Sequence, residues 1–198
     1  MRYRTFVTTA MAAVLFVGAC KKDPPPPPEP TGPTAEELEA QRIADSIAAA
    51  EEAARQAALA AERERAAMEV AIAAARATLA ERIYFDYDVA EIRPDAERIL
   101  RDKLAILRAS PNVMLRIEGH CDERGSNEYN DALGNRRAQA IVEFFTNFGL
   151  DASRFAIVSF GEDRPLANQS NEDAWAMNRR GEFIITAGQN DINPGGTP

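Results

Sequence analysis

Residues 83–187 predict an α+β domain: a mixed four-stranded sheet covered by two main helices, in the order β-α-β-α-β-β, preceded by a long Ala-rich helix. Three observations carry this. Val113, Leu115 and Ile117 alternate with Met114, Arg116 and Glu118, the period of a strand with one buried face. Ala96, Leu100, Leu104 and Leu107 recur at helical spacing, and so do Leu133, Arg137, Ile141, Phe144, Phe145 and Phe148. From Thr34 to Arg82 there is no Gly or Pro, and about two-fifths of the residues are Ala, the best helix former.

Taken in order, residues 1–19 read as a signal segment. Arg2 and Arg4 precede a short apolar run from Phe6 to Val17, below the roughly 20 residues a membrane span needs. Val17-Gly18-Ala19-Cys20 resembles the bacterial lipobox, which implies lipidation of Cys20; an ordinary signal with an incidental cysteine is the alternative. With Cys20 lipidated, Cys121 has no partner for an intramolecular disulfide. Loss of residues 1–19 leaves 21 basic against 31 acidic side chains, a net charge of −10, which gives no footing for nucleic acid.

Residues 20–33 form a linker. The run Pro24–Pro28, with Pro30 and Pro33, favours extended polyproline II at about 3.1 Å per residue, a stand-off from a bilayer. Residues 34–82 form the helical spacer, opened by a capping box of Thr34 and Glu37 and about 70 Å long at 1.5 Å per residue. Ile43, Ile47, Ala54, Ala58, Ala61, Met68, Ile72 and Leu79 keep helical spacing but bury little area each. Self-association as a coiled coil, a solvated single helix, and a partly frayed helix all stay open on that pattern.

Within the domain, Ile83-Tyr84-Phe85 is a short strand leading into the acidic loop Asp86-Tyr87-Asp88. Arg93-Pro94-Asp95 opens the first helix, with Pro in its first turn, and Ser110-Pro111-Asn112 ends it. A second helix is expected over about Asp131–Phe148, capped by Gly149, then a strand at Phe155–Phe160, a helical turn at Asn171–Asn178 and a last strand at Glu182–Thr186. Residues 188–198, polar with Gly and Pro, are expected to be a disordered tail.

The stretch Glu118–Ala138 carries the candidate site. Spacing puts Arg137 on the apolar helix face and Arg136 on the polar one. A guanidinium on an apolar face needs a partner, and an internal ion pair or an escape to water would serve as well as a ligand. Asp122 follows a strand at its carboxyl end, where ligand loops collect. Asp122 could hold an ammonium and Arg137 a carboxylate, a match to an amino acid head group. His120-Cys121-Asp122-Glu123 does not make a metal site, because consecutive extended residues alternate direction. No nucleophile and base arrangement has independent support, so no enzyme and no cofactor is expected.

Tyr84-Phe-Asp-Tyr-Asp88, Glu118-Gly-His-Cys-Asp-Glu-Arg-Gly125, Glu128-Tyr-Asn130, Leu133-Gly-Asn-Arg-Arg-Ala138 and Asn178-Arg-Arg180 resemble the peptidoglycan-associated lipoproteins of the OmpA-like C-terminal domain family. The resemblance covers residues 82–187. It implies an outer-membrane lipoprotein that faces the periplasm and grips the diaminopimelate of the peptidoglycan stem peptide, with TolB as partner in the Tol-Pal system of envelope integrity and cell division. It also implies roles: Asp122 for the ligand ammonium, Arg137 for its carboxylate, Asn130 as a ligand hydrogen-bonder, Asp86, Tyr87 and Asp88 as pocket lining with backbone donors, and Arg179 as support. Asp122→Ala and Arg137→Ala are then expected to keep the domain folded while abolishing wall binding. The long Ala-rich helix and Cys121 depart from the family pattern, and an OmpA-like wall anchor outside the Tol system is the alternative.

Overall fold

A computed structural model describes residues 32–195. The signal segment, Cys20 and nearly all of the proline-rich linker lie outside the described residues, as do residues 196–198. The chain divides into two compact units at Ala53/Ala54. The first holds the start of helix α1 (Ala35–Ala80), where the expected capping box forms: Thr34 N donates to Glu37 Oε2 at 2.7 Å and Glu37 N to Thr34 Oγ1 at 3.3 Å. Leu38, Ile43 and Ile47 remain about half exposed there. Among the described residues no helix is long and apolar enough to cross a membrane.

The second unit contains the rest of α1 and the α+β domain. After α1 come β1 (Ile83–Tyr84), α2 (Pro94–Ala109), β2 (Met114–His120), α3 (Asn127–Asn147), a 3₁₀ turn (Ala152–Arg154), β3 (Phe155–Gly161), α4 (Glu172–Asn178) and β4 (Arg180–Ala187). The sheet order is β1-β4-β2-β3. β2 and β3 run parallel across the α3 crossover, while β4 is antiparallel to both β1 and β2, so the sheet is mixed as expected. Leu115, Ile117, Ile83 and Phe183 face Leu100, Leu104 and Leu107 of α2 and Ile141 and Phe145 of α3, all fully or nearly fully buried. Burial of such a side chain contributes about 1.5–3 kcal/mol.

Four features differ from the sequence expectation. The last turns of α1 are core rather than spacer, because Ala75 and Leu79 are buried and Ile72 packs beside them. Lys103 of α2, fully buried, caps that end: its Nζ donates to the carbonyls of Thr78, Leu79 and Glu81 at 2.5, 2.9 and 2.7 Å and lies 4.1 Å over the Phe183 ring. The loose carbonyls of a helix end are thereby satisfied by the donors of one amine, whose pKa burial pushes down to about 7 with Glu81 opposing. α3 starts four residues early, at Asn127, since Ser126 Oγ caps it by accepting from Tyr129 N. The tail is not disordered over Gly188–Gly195: Ile192 enters the core, Ser110 Oγ and the Asn193 backbone bond each other, and Arg76 donates to Gln189 O. A single Ile in a polar stretch was too weak a periodic signal to show this.

α3 lies close on β2 because two glycines meet. A Cβ on Gly119 would overlap the Gly134 carbonyl, and one on Gly134 would strike Ser159 Oγ and Gly119 O. Backbone cannot yield as a side-chain tip can. Gly119→Ala is therefore expected to destabilise the domain by about 3 kcal/mol, read as a lower midpoint in urea unfolding. An unchanged midpoint would mean that the helix can slide off the strand at little cost.

Candidate functional site

The carboxyl end of β2, the Asp86–Asp88 loop and the first three turns of α3 enclose a cleft of about 80 Å³, lined by Tyr87, Asp88, Cys121, Asp122, Arg124, Asn130 and Arg137, with Gly125, Tyr129 and Leu133. That volume takes a polar head group, not a whole drug-sized molecule.

Arg137 is fully buried, and each of its three nitrogens donates to a backbone carbonyl. Nε donates to Val89 O at 2.9 Å, Nη1 to His120 O at 2.8 Å and Nη2 to Asp86 O at 2.9 Å. The guanidinium carbon sits 5.1 Å from the Phe85 ring centre. Burial pushes the guanidinium below its usual range, with Cys121 and Asp122 acting the other way. Three carbonyl oxygens on two chain segments therefore answer the question of who partners an arginine on an apolar face. The consequence corrects one expectation: Arg137→Ala would not leave the fold intact, because Arg137 ties the Asp86–Val89 loop to the end of β2.

Asp122 is buried and already held. Its Oδ1 accepts from Arg124 N and Nε at 3.1 and 3.0 Å, and its Oδ2 from Arg124 Nη2 at 2.7 Å and Arg179 Nη1 at 3.3 Å. Burial raises the carboxyl, but the Arg124 and Arg179 hydrogen bonds outweigh it and hold it below its ordinary value, so it is an anion at neutral pH. Arg179 does not line the cleft; it stands behind Asp122, also reaching Phe85 O and Glu172.

Asn130 is buried, and its Nδ2 donates to Asp122 O, Arg124 O and Glu162 Oε2 at 3.1, 3.3 and 2.5 Å. It thus braces the Asp122–Gly125 loop. Asp86 contributes through its carbonyl, an acceptor, rather than through a donor. Asp88, at φ +57, occupies the left-handed region that Asp tolerates better than most residues, and its carboxylate accepts a hydrogen bond from the Tyr129 hydroxyl. Tyr87 is exposed and stacks on Arg124.

Arg124 is the residue that spacing missed. Its guanidinium lies 4.0 Å from the Tyr87 ring centre and 4.1 Å from that of Trp175, so two aromatic faces hold the group that grips Asp122. The available signal was its position two residues after Asp122, the reach of a local fork. Cys121 is buried in the cleft wall beside Asn130 O and Arg137; burial pushes its thiol up to about 11, which leaves it inert as a nucleophile. His120 turns to the opposite sheet face, so the His120–Glu123 run does not converge.

Residues 84–179 match the OmpA family model. Over 107 residues the chain is 40% identical to the peptidoglycan-associated lipoprotein of Agrobacterium fabrum, covering 54% of this chain and 60% of that one. It is 42% identical over 100 residues to the protein of the same name from Pseudomonas putida, covering 50% and 60%. The chain thus spans about three-fifths of the length of these relatives. The crystal structure of the peptidoglycan-associated lipoprotein from Burkholderia pseudomallei superposes with a TM-score of 0.52 at 32% identity, covering 53% of this chain and 89% of that one. A fold with the same sheet and helices, a family match across both halves of the cleft, and a 32% identical structure covered almost end to end place the chain in the OmpA family, among relatives of the peptidoglycan-associated lipoproteins.

Proposed function

We propose that this protein is a lipoprotein that holds peptidoglycan without covalent chemistry, through the diaminopimelate of the stem peptide. The observation that carries the reading is the meeting of a carboxylate, Asp122, and a guanidinium, Arg137, in one cleft of head-group size. Diaminopimelate presents a free amino acid end, with an ammonium for Asp122 and a carboxylate for the remaining donor capacity around Arg137 and Arg124. Binding then needs orientation and charge complementarity, and no group in the cleft is poised to attack a bond.

Lipidation of Cys20 would place the domain in the periplasm, tethered to the outer membrane, with the proline-rich linker and α1 supplying reach. In this reading the protein ties membrane to wall in the Tol-Pal system, with TolB as partner, and serves envelope integrity and cell division. An OmpA-like wall anchor outside that system has the same cleft chemistry; co-purification of TolB with the chain separates the two.

The direct test is competition. The chain should sediment with purified cell wall, and free diaminopimelate should release it in a concentration-dependent way. Equal concentrations of an amine or a carboxylate alone should not. Sedimentation unmoved by free diaminopimelate would overturn the assignment of the ligand.

A further inference from the structure

On the face of the sheet away from α2 and α3, Glu118 of β2 lies directly opposite Glu182 of β4, and His120 follows two residues along the same face. One ligand atom from each of the three lies within 4.8 Å of the others. Two carboxylates in cross-strand register repel each other unless something stands between them. Arginines hold one oxygen of each. Glu118 Oε1 accepts from Arg116 at 2.7 Å, and Glu182 Oε1 from Arg180 at 2.7 Å and Arg82 at 2.9 Å. The other Glu118 oxygen, Oε2, is 3.9 Å from His120 Nε2.

His120 itself is 1% exposed, and neither ring nitrogen has a hydrogen-bond partner among the described residues. Buried polar atoms are nearly always satisfied, so an imidazole with both nitrogens bare calls for an explanation. Phe160 stacks on it at 5.5 Å and fixes its plane. We propose that Glu118, His120 and Glu182 form a binding site for a zinc-class divalent ion, separate from the cleft at Asp122 and independent of the reading given to it.

The donor set fits that class. Imidazole with carboxylate oxygens suits zinc and its first-row neighbours rather than calcium or magnesium, which take oxygen cages. Three protein ligands leave a fourth position for water. The arginines oppose the ion's charge. They orient Oε1 of each carboxylate and keep the site weaker than a structural zinc centre.

The test is titration of the metal-free full chain with Zn²⁺ by calorimetry, and with Co²⁺ as the spectroscopic stand-in. One ion per chain is expected, and bound Co²⁺ should show visible bands of a four-coordinate nitrogen and oxygen site without a thiolate band, which separates it from either cysteine. His120→Phe, which keeps the stack on Phe160, and Glu182→Gln, at the more exposed carboxylate, should each weaken binding at least tenfold, with circular dichroism confirming that both are folded. Absence of saturable binding by the full chain, a thiolate band, or both folded variants binding as the parent does would overturn the site.

Discussion

Arg137→Ala is expected to destabilise the domain strongly rather than merely empty its cleft. The side chain is fully buried, and three backbone carbonyls, those of Asp86, Val89 and His120, receive its donors. Removing the guanidinium takes its donors from three carbonyls, one buried and two part-buried, and leaves a hole under the Phe85 ring. Each orphaned acceptor costs about 1–3 kcal/mol, so the total is expected to reach about 3–5 kcal/mol after local relaxation and water entry. Small domains have only about 5–15 kcal/mol in hand. Urea unfolding of Arg137→Ala should therefore show a midpoint well below that of the parent, and amide exchange should quicken first at Asp86–Val89. Arg137→Lys should fall between the two, because a single ammonium keeps the charge but cannot span three acceptors. A midpoint for Arg137→Ala close to the parent's would show that the loop is held by other contacts.

Spacing alone distinguished Arg137 from Arg136, because three- and four-residue intervals from Leu133 to Phe145 define one buried face and the structure keeps it. It could not name the partners of Arg137. These are carbonyls, which every residue carries, brought together by the β1–α2 loop and the end of β2 from 17 to 51 residues away. The mixed sheet was legible for a similar reason: alternation at 113–117 states that one face is buried, and β4 supplies the antiparallel neighbour. Lys103 shows the opposite limit. On the α2 face defined by Ala96, Leu100 and Leu107 it counts as polar, yet it is fully buried, because the end of α1 presents three carbonyls to it. Periodicity ranks residues by hydropathy, so a buried amine with backbone partners stays invisible to it. Ile192, alone in its polar stretch, stayed invisible too, since one residue has no period.

Asp122→Asn separates the binding role from the scaffold more cleanly than any change at Arg137. The amide has nearly the same shape and keeps one oxygen to accept from Arg124 or Arg179, so the loop should hold. Arg179 retains Phe85 O and Glu172, and Arg124 retains Glu172 and the Tyr87 and Trp175 rings, so neither guanidinium is left without partners. The fold is expected to lose only about 1 kcal/mol. The ligand loses far more. An ammonium entering the cleft must take over a carboxylate oxygen now held by arginine, and Arg124, with 28% of its side chain exposed, can swing to water where Arg179, at 8%, cannot. That exchange is favourable only if Asp122 carries a full negative charge for the incoming ammonium. Loss of one partner from a desolvated charge pair costs about 2–5 kcal/mol. Wall affinity of Asp122→Asn should accordingly drop by about a hundredfold in a sedimentation assay, with the thermal midpoint nearly unmoved. Parental wall binding by a folded Asp122→Asn protein would show that Asp122 serves to position Arg124 and Arg179, and that the ammonium is held elsewhere.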